Sequence, residues 1–379
     1  MKITILNNLY KPYQRGGAEI VIETIKKALE KEKHEVFVIS TYPCLNSFKK
    51  IRIIDKNYFL PSAYSLLSKF PYHCRILWHT YKLIDLIQII KLKKILQKEK
   101  PDLIISHNLT AFSALTNQLI KKLDIKQAHF LHDIQLLHPS GRIIFNKERI
   151  IDSIGAKVWQ AIKREQFKTI KKIISPSSWL LKLHQEKGFF NNTKQIIAFN
   201  PVNLTNLKKT KFPVFSYIYL GQLDDEKGLP LLVSAFEKIT QKANLIIAGS
   251  GPLLNFIEEK SKKNKNIILL KNLTHQEIIE TLSQSHCLII PSLIYENCST
   301  AILEGVSQGL NIISSNIGGS PELIERFWGQ SFQAGDEKDL YNKMLQAIEI
   351  EDYKKNLDSF KCLNSDTYIK NLLNFLELS

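Results

Sequence analysis

The chain has 379 residues, 44% hydrophobic and 23% charged, a profile that fits a soluble globular protein of about two domains. No apolar run reaches the roughly 18 residues needed to span a bilayer, and the start, "MKITILNNLYKPY", lacks the long apolar core of a signal peptide. The net charge of +16 is uneven: residues 1–200 carry 34 Lys or Arg against 15 Asp or Glu, the remainder 18 against 21, which points to an anionic surface as partner.

In chain order, "KITIL", "EVFVIS", "DLIIS", "AHFLH", "KIISP" and "QIIAF" read as strands separated by helical periodicity. The helices include Ala18 to Glu30 and one long helix from about Arg75 to Gln97. "NPVNLTNLKKTKFP" is polar and flanked by prolines, so residues 201–213 are expected to be a linker. A second series follows: "FSYIYLG", "ANLIIAG", "NIILL", "CLIIP" and "NIISS". The expected fold is therefore α/β, with two doubly wound, Rossmann-like domains facing across a cleft. The first spans 1–200, the second 214–352, and a final helix over 353–379 crosses back onto the first. Cys44, Cys74, Cys287, Cys298 and Cys362 form neither a C-x-x-C pair nor a zinc spacing, so reduced thiols, a cytoplasmic location and no bound metal are expected.

Several motifs fall where such sheets bind ligands. In "YENCSTAILEGVSQG", Glu296 sits in a turn and Glu304 over a turn into a helix, with Gly309 as its cap. A helical rise puts the two carboxylates roughly 10–12 Å apart, the span from sugar ring to ribose in a nucleotide sugar. Between them, Asn297, Cys298 and Ser299 offer backbone amides at a helix N-terminus, where a diphosphate is stabilised. Gly249 and Gly251 in "AGSGP" mark a tight turn after a strand, and Gly16 and Gly17 in "YKPYQRGGAE" allow phosphate close to the backbone. His107 ends the strand of "PDLIISH", and His132 and Asp133 follow the next one. Separately, the stretch from Tyr58 to Lys100 mixes aromatics, aliphatics and lysines. It reads equally as an amphipathic helix on the first sheet or as a face for anionic lipid.

Taken together, "PSLIYENCSTAILEGVSQG…GGSPELI", "YLGQLDDEKGLPLLVSAF", "AGSGP" and "PDLIISH" resemble the motifs of family 4 retaining glycosyltransferases, which have the GT-B fold. The resemblance covers nearly the whole chain and is strongest from Gly221 to Ile324. It implies transfer of a hexose or related sugar from a UDP- or GDP-linked donor to a glycan or lipid-linked acceptor, as in bacterial surface polysaccharide synthesis. It implies Glu296, Lys227 and His107 as catalytic, with His107 near the sugar's 6-position, and Glu304 on the ribose. Lys227 matches the family's lysine on the donor diphosphate, but Gln222 stands where the family has arginine. Weaker leaving-group stabilisation is expected from that change, with Arg15 or another basic residue to compensate. His132 and Asp133 would support the sugar or acceptor, the Asp fixing an imidazole tautomer. With no D-x-D, the implied mechanism needs neither metal nor cofactor. A catalytically weak, glycosyltransferase-like binding protein is the alternative that Gln222 keeps open. A dinucleotide oxidoreductase lacks its G-x-G-x-x-G, and a nucleic-acid binder lacks a recognition module. The expected location is cytoplasmic, peripheral on the inner face of the membrane.

Overall fold

Short runs rich in Ile, Leu and Val that are buried on both faces build parallel sheets covered by helices. The computed structural model describes residues 1–13, 17–202, 210–327, 329–349 and 365–377, and such runs supply both of its sheets. The first contains β1 (Lys2–Leu6), β2 (Glu35–Pro43), β3 (Arg52–Ile54), β4 (Asn57–Ser62), β5 (Leu103–Ser106), β6 (Lys126–Phe130), β7 (Lys172–Ser175) and β8 (Lys194–Ile197). Its order is β3-β4-β2-β1-β5-β6-β7-β8, parallel except for the β3–β4 pair. The second contains β9 (Phe215–Leu220), β10 (Ala243–Ala248), β11 (Ile267–Leu270), β12 (Cys287–Ile290), β13 (Asn311–Ser315) and β14 (Gln330–Phe332). Its order is β11-β10-β9-β12-β13-β14, parallel throughout. Both sheets are doubly wound, as the alternation of runs leads one to expect.

The chain forms two compact units, one of Met1–Gly141, Arg149–Pro201 and Tyr368–Ser379, the other of Arg142–Glu148 and Val202–Thr367. The C-terminal helix, Ser365–Leu376, places Tyr368, Ile369, Leu372, Leu373 and Leu376 in the core of the first unit beside Ile3, Ile22 and Phe130. That spacing is one stripe of an amphipathic helix. Residues 353–364 of the expected final helix, and 203–209 of the expected linker, lie outside the described residues.

Two expectations for the first unit need correction. The single helix from Arg75 to Gln97 is two, Tyr72–Lys82 and Leu86–Glu99. The break comes at Asp85, which accepts a hydrogen bond from the Gln88 amide at 3.0 Å and pairs with buried Lys82 at 2.8 Å. A capping carboxylate competes with helix continuation, and here a buried cation holds it in place. The strands β3 and β4 were not anticipated either. β4 contains Pro61 yet is buried along its length, and the Asn57 side chain accepts from the Val38 amide at 2.9 Å. Finally, Arg142–Glu148 packs with the second unit, so the first is not an unbroken 1–200 segment.

Candidate active site

In the second sheet the central strands β9 and β12 are neighbours although three strands apart in sequence. This is the switch point at whose carboxyl ends open α/β sheets bind ligands. The loop after β9 carries Gln222 and Lys227; the loop after β12 carries Glu296. Lys227 Nζ donates to Glu296 Oε1 at 2.6 Å, and Ser292 Oγ donates to the same oxygen at 3.2 Å. Both members of the ion pair are about a quarter exposed, at 24% and 22%, so the pair is reachable by ligand.

Glycine lets these loops touch. At Gly228, φ is 71°, and a Cβ would lie 1.9 Å from the Pro291 carbonyl oxygen. Gly318, φ 69°, would collide with the Glu296 backbone, whose carbonyl accepts from the Gly319 amide at 2.7 Å. The "GG" of "GGSPELI" therefore seats the Glu296 loop. Gly249 and Gly251 have a packing reason as well. A Cβ on Gly249 would lie 1.9 Å from Gly221 O, and one on Gly251 2.5 Å from Leu223 O, so the turn after β10 rests on the turn after β9.

Residues 142–148 brace the same loops. Ile144 bridges Ile294, the Phe145 amide donates to Leu293 O at 2.8 Å, and Tyr295 OH donates to Glu148 at 2.9 Å. Arg142 pairs with Glu226 at 2.7 Å, one residue before Lys227. The sequence carries no short-range signal for this brace, because its partners lie 84 to 150 positions apart.

The helix after Glu296 runs Thr300–Ser307, and its N-cap, Ser299, makes no side-chain capping bond. Ser299 therefore leaves the first-turn amides, the groups that bind anions at a helix N-terminus, without a cap from its own side chain. Asn297 and Cys298 precede the helix, and Cys298 is buried. Glu304 lies on this helix with no cation paired to it among the described residues, and burial pushes its carboxyl up to about 7. Gly309, φ 69°, closes the helix as expected. Gln222 is exposed; its carbonyl accepts from Tyr219 OH.

The first unit has its own switch point, between β1 and β5. His107 follows β5, but it has no exposed surface, which corrects the expectation that it touches sugar. Its Nδ1 lies 2.6 Å from His132 Nε2, and both rings stack on Phe130. His132 is the partly exposed member. Burial holds His107 well below the usual histidine range and lowers His132 to about 4, so the pair is neutral at pH 7. Asp133 accepts from the Gln135 amide at 2.7 Å and from Asn108 Nδ2 at 3.2 Å, while burial raises its carboxyl to about 7.

Asn108 also lines a neighbouring cavity of about 490 Å³, with Glu19, Tyr64, Ser68, Arg75 and His79 among its walls. None of those last five stood out in the sequence; each is an ordinary residue of a helix or turn until the fold gathers them. Gly17 opens the helix Gly17–Lys31, and Arg15 and Gly16 lie outside the described residues. Among the described residues, no group of three His, Cys, Asp or Glu side chains is placed to hold a metal ion.

Residues 15–206 match the family model described as Glycosyltransferase Family 4, and residues 206–360 match Glycosyl transferases group 1. An uncharacterised 42.6 kDa protein of the cps region of Klebsiella pneumoniae is 24% identical over 371 residues, 94% of this chain and 96% of that protein. Among solved structures, the lipopolysaccharide outer core galactosyltransferase WaaB aligns with a TM-score of 0.71 at 17% identity, covering 100% of this chain and 99% of that one. Anabaena HepE in complex with UDP aligns at 0.70 and 15%, covering 100% of both chains. These structural likenesses establish a GT-B fold of two Rossmann-like domains. Since the first family model spans half of the chain and the second takes up where it ends, the chain belongs to glycosyltransferase family 4.

Proposed function

We propose that this glycosyltransferase moves a hexose or related sugar from a nucleotide-sugar donor to a glycan or lipid-linked acceptor, with retention of configuration, in bacterial surface polysaccharide synthesis. The observation that carries the reading is the Lys227–Glu296 pair, 2.6 Å apart at the switch point of the second sheet. The uncapped helix N-terminus follows it directly. The cps-region relative and the UDP bound by HepE support it.

In this reading the second unit holds the donor. Lys227 and the first-turn amides of helix Thr300–Ser307 receive the diphosphate, so its charge is met without a metal ion or cofactor. Glu296, oriented by Lys227 and Ser292, accepts from the sugar hydroxyls, and Glu304 accepts from the ribose. The bond from the anomeric carbon to the phosphate oxygen breaks, its electron pair leaving with the diphosphate. The acceptor oxygen bonds to that carbon on the same face, and its proton passes to the departing phosphate oxygen. The first unit, with its neutral His107–His132 pair and adjoining cavity, takes uncharged hydroxyls; His107 acts as a positioning residue for His132. Gly16, Gly17 and Arg15 serve the phosphates in the same reading. The enzyme works in the cytoplasm, peripherally at the membrane.

The test is release of nucleoside diphosphate from a panel of UDP- and GDP-sugars, with product anomers assigned by NMR. Release by the wild type, lost in Lys227→Ala and Glu304→Ala, is expected. Gln222 favours a second reading, a nucleotide-sugar binder with little turnover: binding by thermal shift with no release would establish that instead.

A further inference from the structure

Three segments of the first unit present an apolar surface ringed by cations: the loop after β2, the helix Tyr72–Lys82 with its C-terminal turn, and the helix Leu86–Glu99. Leu45, Phe48, Leu77, Ile84, Leu86 and Ile90 are each 56–77% exposed. Hydrogen bonds tie the segments together: Ser47 Oγ meets Tyr81 OH at 3.1 Å, and Lys91 Nζ donates to the carbonyls of Ser47 and Lys49. The long helices do pack on the fold through other residues. Leu92, Ile95 and Leu96 are buried on one, and Trp78 and Lys82 turn inward on the other. The outward aliphatics are thus surplus to the core, and side chains of that size in such number on one face mark an interaction surface.

Charge says what covers it. From Leu45 to Lys98 the chain has 11 Lys or Arg and 2 Asp, and one of those, Asp85, is buried against Lys82. Lys49, Lys50, Lys93 and Lys94 are all exposed, and Asp55 is the one exposed carboxylate of the stretch. We propose that this face docks the enzyme on an anionic lipid bilayer, its aliphatics entering the headgroup boundary and its lysines pairing with acidic headgroups. Helix Tyr72–Lys82 links the face to the cavity described above. Ile76, Leu77 and Tyr81 point outward, while Arg75 and His79 line the 490 Å³ space. A lipid-linked acceptor held in the bilayer would enter that cavity with its polar head; this consequence alone rests on the acceptor reading given above.

The full chain, without donor, is floated with vesicles of phosphatidylcholine alone or doped with phosphatidylglycerol. Binding to the doped vesicles is expected, weakening with salt and falling about fivefold for each of Lys93→Gln and Lys94→Gln. Leu77→Ser with Ile84→Ser, both exposed positions, should release the protein while leaving its melting temperature and its donor hydrolysis unchanged. No binding to doped vesicles at low salt, or variants that bind as well as wild type, would overturn the proposal. So would light scattering showing a concentration-dependent dimer that the Leu77→Ser/Ile84→Ser variant loses, since a second copy would then cover the face. Donor hydrolysis is read separately, so failure of docking and failure of the transferase reading are distinct results.

Discussion

The two switch points share a topology and differ in electrostatics. In the second unit, a partly exposed Lys227–Glu296 pair, an uncapped helix and glycine-seated loops offer positive charge and amides to an anion. In the first, burial keeps the His107–His132 pair neutral at pH 7 and raises the Asp133 carboxyl to about 7. On the function proposed above, one Rossmann-like scaffold serves as a phosphate site or as a polyol site according to whether its loops stay open to water or are buried under neighbouring side chains.

The sharpest way to break this comparison is Lys227→Ala. It should lower kcat roughly a hundred- to a thousandfold, as loss of a group that stabilises leaving-group charge does, with a smaller change in KM. An equal loss from His132→Ala would mean that the two units do not divide the chemistry this way. Next is Gly228→Ala, where the new Cβ meets Pro291 O and the left-handed backbone is strained. About 2–3 kcal/mol of stability should be lost, read by denaturant unfolding.

Glu304 sharpens the contrast through pH. Its carboxyl titrates at about 7, and in the proposed donor complex only the ionised form would accept from both ribose hydroxyls. Affinity for a nucleotide sugar should therefore rise about tenfold from roughly pH 6 to pH 8, and Glu304→Gln should flatten the profile. A wild-type profile already flat in calorimetry would remove Glu304 from the ribose. Gln222→Arg adds a cation to the loop that carries Lys227 and should raise turnover several-fold, up to about tenfold. No gain would mean that other groups already meet the charge.

The smallest effect is expected at Asp133. Its folded pKa lies above the ordinary 3.8, so the folded state holds a proton that the unfolded state gives up, and burying the charge costs stability above pH 7. Asp133→Asn should raise Tm by a few degrees at pH 8, the gain fading as pH falls from about 7 to 4. A gain that persists at pH 4 would place the effect in packing.

Much of the second site was legible because its parts are close in sequence. Glu296 and Glu304 share one strand–turn–helix unit that local periodicity places, whereas Lys227, 69 positions from Glu296, was marked by the resemblance of "YLGQLDDEKGLPLLVSAF" to the family's motif. The first site was only half legible. A histidine after a strand marks the ligand edge of a sheet, but no local pattern tells whether its ring faces solvent or a second histidine 25 positions away, and here it faces His132. Likewise the break at Asp85 depends on Lys82 being buried with it, and the docking face on which side of two helices the core leaves uncovered.

By itself the sequence determined the α/β class, the central parallel strands of both series, the turns that need glycine and the excess of positive charge in the first half, because each follows from spacing or composition. Tertiary structure alone decided which carboxyls burial raises to about 7, which histidine reaches the surface, and that residues 142–148 brace the loops of Lys227 and Glu296. Desolvation and long-range pairing are properties of neighbours in space, and distant chain segments become neighbours only on folding.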